Sequence, residues 1–293
     1  MSDASRKVQE LTVSPIIIIG AARSGTKFIR DVLASAEGVR AVPYDVNYVW
    51  RTGVQSGAHD ALNPDQLTAE NIKTIKGNLF KLAGLKQGEV LIEKTVSNSL
   101  RVKYVNKVFP NARYVHIIRN GRDTTYSAMR QWVADPDWRS WLEKLRALPL
   151  SNYRYVLWLL RNHFDHRLSK TNVPGIWGPR FPGIEEMVQK SELVEVCANQ
   201  WLQSVICASH DLGQLESVHG LNRVYSVQYE QLVADKQVIE NLVEKLELPN
   251  GNQIMENYKK MCKPARPGRW SEMSGSDRDL LNQIVQKNAK YFS

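Results

Sequence analysis

The chain has 293 residues, 43% of them hydrophobic, enough for one substantial α/β core. Its formal net charge of +9 suits an anionic partner, yet no dense basic arm and no motif that reads bases is present, so nucleic acid is not expected. Three scattered cysteines, Cys197, Cys207 and Cys262, give neither a disulfide framework nor a CxxC metal spacing. The polar stretch 1–14 holds no apolar signal-peptide core, and the run Ile16–Ile19 is too short to span a bilayer. Together these features predict a cytoplasmic protein.

Pro15-Ile-Ile-Ile-Ile-Gly20 is a β-branched run closed by glycine and reads as a buried parallel strand. A loop over Ala21–Thr26 follows, then Phe28, Ile29, Val32, Leu33 and Ala36 at helical spacing. Val90–Ile92 is a second short strand. Ser97 is placed to cap the next helix, whose apolar face is Leu100, Tyr104, Val105 and Val108. Arg113–Ile118 is a third strand, running into the turn Arg119-Asn-Gly-Arg-Asp123 that opens another helix. Arg223–Gln228 is a fourth, followed by a helix with Leu232, Val238, Ile239, Leu242 and Leu246 inward. A last helix begins near Ser276 and packs Leu280, Leu281, Ile284 and Val285.

Strands alternating with helices predict a single doubly wound α/β domain over 1–293, its sheet parallel and covered on both faces. The stretch from about 133 to 185 breaks the alternation. It holds Trp138, Trp141, Trp158 and Trp177 beside Tyr153, Tyr155 and Phe164, with Arg139, Arg161, Arg167 and Arg180 among them. It is read as an insertion over the carboxyl ends of the strands. Its aromatic residues fit stacking on a substrate, a small core of their own, or a subunit contact. His163 and His166 lack a third metal ligand nearby, and His116, inside a strand, reads as a packed core residue.

Gly20-Ala-Ala-Arg-Ser-Gly-Thr-Lys27 sits between strand and helix, where free backbone N–H groups and the helix dipole favour an anion. Arg23 and Lys27 add charge. The rival is a nucleoside-triphosphate loop, GxxxxGK[ST]. Gly20 and Gly25 fit that pattern, but Thr26-Lys27 stands in reversed order and Phe28 supplies no hydroxyl for Mg²⁺.

Residues 15–28 resemble the 5′-phosphosulfate loop of the sulfotransferase family, roughly P-(R/K)-S-G-T-(T/S). Ala22 stands where proline is common and Lys27 where a hydroxyl residue is common. His116-Ile-Ile-Arg-Asn-Gly-Arg-Asp123, with Ser127 eight residues after Arg119, resembles the family's 3′-phosphate segment. Glu93-Lys94-Thr95 resembles the E-K-(T/S)-P segment of the carbohydrate-sulfating branch, with Val96 for proline. Gln228-Tyr-Glu-Gln-Leu232 resembles the Y-E-D-L strand end. Lys263-Pro-Ala-Arg-Pro-Gly-Arg-Trp270 resembles the C-terminal loop that closes over the nucleotide, its R-K-G triplet reduced to Lys263-Pro-Ala265.

The resemblance implies a sulfotransferase that moves a sulfuryl group from 3′-phosphoadenosine 5′-phosphosulfate to a hydroxyl or amine, with no obligatory metal. It implies donor contacts from Arg23, Ser24, Gly25, Thr26, Lys27, Phe28, Arg119, Ser127, Tyr229, Gly268 and Trp270, with Arg266 or Arg269 replacing the lost triplet. It implies charge work at the leaving oxygen by Arg23 and Lys94, and a base in the loop after the first helix. The acid in Pro43-Tyr-Asp-Val-Asn-Tyr-Val-Trp50 is Asp45, beside aromatics that would partly desolvate it. His59 and Asp60 are the fallback pair. A glycan acceptor is favoured by the Glu93-Lys94-Thr95 segment and the aromatic insertion, while a small alcohol, a lipid headgroup and a protein tyrosine stay open. The competing classes are a nucleotide kinase or triphosphatase, and a protein of this fold that binds nucleotide without turnover.

Overall fold

The structure, a computed structural model, describes residues 14–55, 59–134, 176–219, 222–264 and 267–289. Most of the expected insertion, 135–175, therefore lies outside the described residues. So do Trp138, Trp141, Tyr153, Tyr155, Trp158, Phe164, the His163/His166 pair and, near the C-terminus, Arg266.

Five parallel strands form one sheet: β1 (Ile16–Ile19), β2 (Val39–Ala41), β3 (Val90–Glu93), β4 (Arg113–Ile118) and β5 (Val224–Gln228), in spatial order β2-β3-β1-β4-β5. β1 lies at the centre because its four isoleucines are buried on both faces. Ile17 and Ile19 face one layer with α2 (Asn47–Trp50), α3 (Ala69–Ala83), α4 (Val102–Val108) and the long α7 (Leu193–His219). Ile16 and Ile18 face the other, with α1 (Thr26–Leu33), α9 (Lys236–Lys245) and α10 (Gly251–Met261). This alternation at period 2 is what makes the fold doubly wound. The remaining α-helices among the described residues are α5 (Gly121–Trp132), α6 (Ile184–Lys190), α8 (Tyr229–Ala234) and α11 (Gly275–Lys287). Among the described residues no helix is long and apolar enough to cross a membrane.

The β1–β4 register, Ile16 to Arg113 through Ile19 to His116, brings the loops after the two strands together at their carboxyl ends. The chain leaves β1 toward one edge of the sheet and β4 toward the other, so these loops flank the switch point where open α/β sheets take ligands.

Several elements differ from the sequence reading. Ser97 does not cap a helix. Residues 96–100 form a 3₁₀ turn, α4 starts at Val102, and the Ser97 hydroxyl donates to Asp60 Oδ2 at 2.8 Å. The helix expected after β5 is two, α8 and α9, with Asp235 between them capping α9 by accepting from Gln237 N at 2.8 Å. Strand β2 and helices α2, α3, α6, α7 and α10 are additions. α3 is bounded by a Thr68 cap at 3.1 Å and by Gly84, at φ 60°, in the left-handed conformation. α11 begins one residue earlier than expected, at Gly275, with Ser274 accepting from Asp277 N at 3.1 Å.

Candidate active site

The loop between β1 and α1 is strained in the manner of an anion cradle. Arg23 has φ 72° and Gly25 φ 95°, both left-handed. A side chain at Gly25 would collide with the Tyr229 ring at the start of α8, so glycine is required twice over. Buried Ser24 turns its hydroxyl inward to Ala21 O at 2.6 Å. The first intrahelical bond is Ile29 N–H to Gly25 O at 3.1 Å, leaving the amides of Thr26, Lys27 and Phe28 at the positive end of α1. The Lys27 side chain turns away to Asp31 at 2.8 Å and is 77% exposed. The Phe28 ring packs 6.2 Å from that of Tyr258.

β4 delivers Arg119 beside this loop. One Arg119 nitrogen donates to Arg23 O at 2.9 Å, and the guanidinium lies 4.6 Å over the Tyr229 ring. Its Nε is buried with no partner among the described residues. Arg23 Nε donates to Ser127 Oγ at 3.0 Å. The sequence thus places Arg23 in one motif and Arg119 with Ser127 in another, and the fold joins the two. Burial first, and the like charge of Arg119 second, hold the Arg23 guanidinium below its ordinary pKa. Two cations packed this closely favour an anion that both can bind.

A cleft of about 340 Å³ opens here, lined by Arg23, Arg119, Arg269, one face of α5 (Asp123, Tyr126, Ser127, Arg130 and Gln131) and Ala134 just beyond it. Arg130 was not expected from the motifs. Its signal was its spacing, since it follows Ser127 by three residues on one helical face.

Asp123 is 6% exposed and ties the C-terminal segment to this cleft. Its carboxylate accepts from Gly268 N at 3.1 Å and Trp270 N at 3.4 Å, while Arg122 lies 5.4 Å over the Trp270 ring. Arg269 lines the cleft but bonds Glu272 at 3.0 and 3.1 Å. Those bonds, then one from the Tyr126 hydroxyl at 2.6 Å, hold the Glu272 carboxyl down to about 2. Arg269's charge is thus balanced, whereas Arg130 has no ion pair among the described residues.

On the far side of β1, Lys94 follows β3 and reaches Asp45 Oδ2 at 3.4 Å. The same oxygen accepts from Val96 N at 2.9 Å. Asp45 Oδ1 carries no hydrogen bond among the described residues, and the side chain is 31% exposed. One oxygen is anchored and the other is left without a hydrogen bond among the described residues. The neighbours that hold Asp45 are an ammonium and an amide rather than the rings of Tyr44 and Tyr48.

Asp60 has a different task. It is 1% exposed and accepts from Asn47, Arg51, Ser97 and the backbone N–H of Arg180 at 2.8–3.0 Å. Burial would raise its pKa, but the charge of Arg101 and the bonds from Arg180 N, Asn47 and Ser97 outweigh burial and hold it down. Both oxygens are committed to clasping Asn47 and Arg51, the 3₁₀ turn and the segment before α6. His59 is exposed, and its carbonyl accepts from Arg51 at 3.0 Å. Burial pushes His116, inside β4, down to about 4.

A cationic cleft at the switch point and an anchored Lys–Asp pair after the neighbouring strand are an arrangement that can bind an anionic group donor and deprotonate an acceptor. Comparison with known proteins agrees with that chemistry. The sequence model of the Sulfotransferase family matches residues 15–174. Among solved structures the fold is similar to sulfotransferase STF9 from Mycobacterium avium, at 14% identity, 96% of this chain, 78% of that one and a TM-score of 0.54. The sulfotransferase from Alicyclobacillus acidocaldarius gives 15%, 96%, 94% and 0.52. Sulfotransferase STF1 from Mycobacterium tuberculosis H37Rv gives 11%, 97%, 79% and 0.52. No curated protein matches by sequence. Because the family match spans more than half of its residues, this chain belongs to the sulfotransferase family, enzymes that transfer sulfuryl groups.

Proposed function

We propose that the donor is 3′-phosphoadenosine 5′-phosphosulfate and that the acceptor is a hydroxyl or amine, with a glycan as the favoured class. The observation that carries this reading is the linked set Arg23, Arg119 and Ser127, gathered from two strand ends into one arginine-lined cleft. Arg119 and Ser127 suit a 3′-phosphate, and Arg130, which lines the same cleft, adds positive charge beside them. The amides opening α1, with Arg23, suit the 5′-phosphosulfate. Tyr229 supports Arg119 from below, and Gly268 and Trp270 border the nucleotide through Asp123.

In the reaction, the acceptor oxygen or nitrogen attacks sulfur in line. Its bond to sulfur forms as the bond from sulfur to the 5′-phosphate oxygen breaks. Asp45 Oδ1 takes the acceptor proton, and Arg23 and Lys94 offset the charge growing on the departing phosphate. The products are the sulfated acceptor, adenosine 3′,5′-bisphosphate and a proton. The segment from Trp177 to Phe181, the described end of the insertion, is clasped by Asp60 and by Gln200, and we read it as the acceptor side. The unpaired cysteines suit a cytoplasmic, reducing setting.

The test is incubation with sulfur-labelled donor and a panel of glycans, small alcohols, lipids and tyrosine peptides. The expected result is label on one acceptor class and release of the bisphosphate. Mg²⁺-dependent hydrolysis of ATP, with no label transferred, would replace this reading with the triphosphatase one.

A further inference from the structure

Glu93 is fully buried at the end of β3, next to Lys94, yet it has no part in the mechanism above. Its carboxylate meets three neutral donors. Trp50 Nε1 at 3.2 Å and the Thr95 hydroxyl at 2.5 Å bond Oε1, and Asn98 Nδ2 bonds Oε2 at 2.9 Å. The charged groups around it are Asp45 from the loop before α2, Lys94 from its own strand end and Arg101 from the start of α4. None of them pairs with it among the described residues. A buried carboxylate without a counter-ion costs several kcal/mol, and an apolar side chain would fill the space more cheaply.

The bonds beyond Glu93 show what that cost maintains. Thr95 Oγ1, which donates to Glu93, also accepts from Val46 N at 3.2 Å. The next residue, Val96, donates its N–H to Asp45 Oδ2. Asp45-Val46 is therefore held at two points by Thr95-Val96, and Glu93 orients the hydroxyl at one of them. We infer that Glu93 is a positioning residue for the acceptor base, acting through Thr95 on the backbone that carries Asp45. This rests on the assignment of Asp45 as base.

The inference carries a pH signature. Burial, the largest cause, lifts the Glu93 carboxyl to about 7; bonds from Thr95 and Trp50 oppose it, Asp45 adds to it, and Lys94 opposes it. The ionised carboxylate has acceptors only and matches three donors. A proton on it faces the Asn98 amide donor or forces the Thr95 hydroxyl to reverse. The positioned state therefore assembles above about pH 7 and loosens below it. Stability runs the other way. The folded pKa lies above the unfolded one, so the stabilising contribution of Glu93 is complete below the unfolded value and is lost as pH rises through about 7. Glu93 is ionised where it costs the fold most, which fits a role in turnover rather than in folding.

Glu93→Gln keeps the shape but permanently presents one N–H₂ donor, as the protonated acid does. With kcat followed against pH on the best acceptor, wild type should rise through about pH 7. Glu93→Gln should stay at the low plateau across the range, with kcat reduced by up to about 100-fold above pH 7 and bisphosphate affinity unchanged. Thr95→Val, which removes the link and leaves Glu93 in place, should flatten the profile in the same way. It decides the matter if Glu93→Gln does not fold. A wild-type profile in either folded variant overturns the inference. Failure of the base assignment shows separately, as an Asp45→Asn variant that still turns over.

Discussion

Asp45→Asn should lower kcat by about 10²–10⁴ and leave the affinity for adenosine 3′,5′-bisphosphate near wild type. The amide preserves the volume of the side chain and can still accept at the oxygen that faces Lys94 and Val96 N. What it removes is the capacity to take a proton at the open oxygen. The donor cleft is lined by other residues, so binding of the nucleotide should not change. Stopped turnover with intact nucleotide affinity, measured by calorimetry beside initial rates, would locate Asp45 at the acceptor. Unchanged turnover would remove it from the mechanism, and His59 would be tested next.

Arg23→Ala should lower kcat by about 10²–10³ and should also weaken nucleotide binding. Arg23 touches both ends of the donor site. Its carbonyl holds Arg119, and its side chain holds Ser127. The substitution leaves the backbone and its left-handed strain in place, so the carbonyl contact survives while the charge is lost. Arg23→Lys should recover part of the rate, because an ammonium restores charge but not the planar fork. Initial rates with saturating donor separate the two effects. Loss of affinity with full kcat would mean that Arg23 only binds.

The parts of this site that could be read in the sequence lie where a strand meets a helix. Ile16–Ile19, a β-branched run buried on both faces, and Arg113–Ile118, apolar and buried through its middle, announce themselves as strands, and the phosphate motifs follow them directly. β2 escaped because Val39–Ala41 is only three residues long, with Arg40 exposed, and shows no period. α7 escaped for the opposite reason. Its buried residues, from Val194 and Ala198 through Trp201 and Leu202 to Ala208 and Leu212, serve four separate clusters, so no single apolar stripe stands out. Lys94 and Asp45 were each recognisable, but their contact depends on loops beyond α1 and β3 folding back 49 residues apart. The Asp60 clasp on Arg180 spans 120 residues and no local pattern encodes it. Arg269, one of the two arginines expected to replace the lost triplet, is paired with Glu272 three residues on.

The account rests on a cleft that recognises a 3′-phosphate. Calorimetric titration of the wild-type protein with adenosine 3′,5′-bisphosphate and with adenosine 5′-monophosphate tests that directly. Charge-assisted bonds from Arg119 contribute about 1.5–3 kcal/mol, so the bisphosphate should bind at least about tenfold more tightly, and Arg119→Ala should erase most of the difference. Equal affinities of the wild-type protein for the two nucleotides would contradict the account.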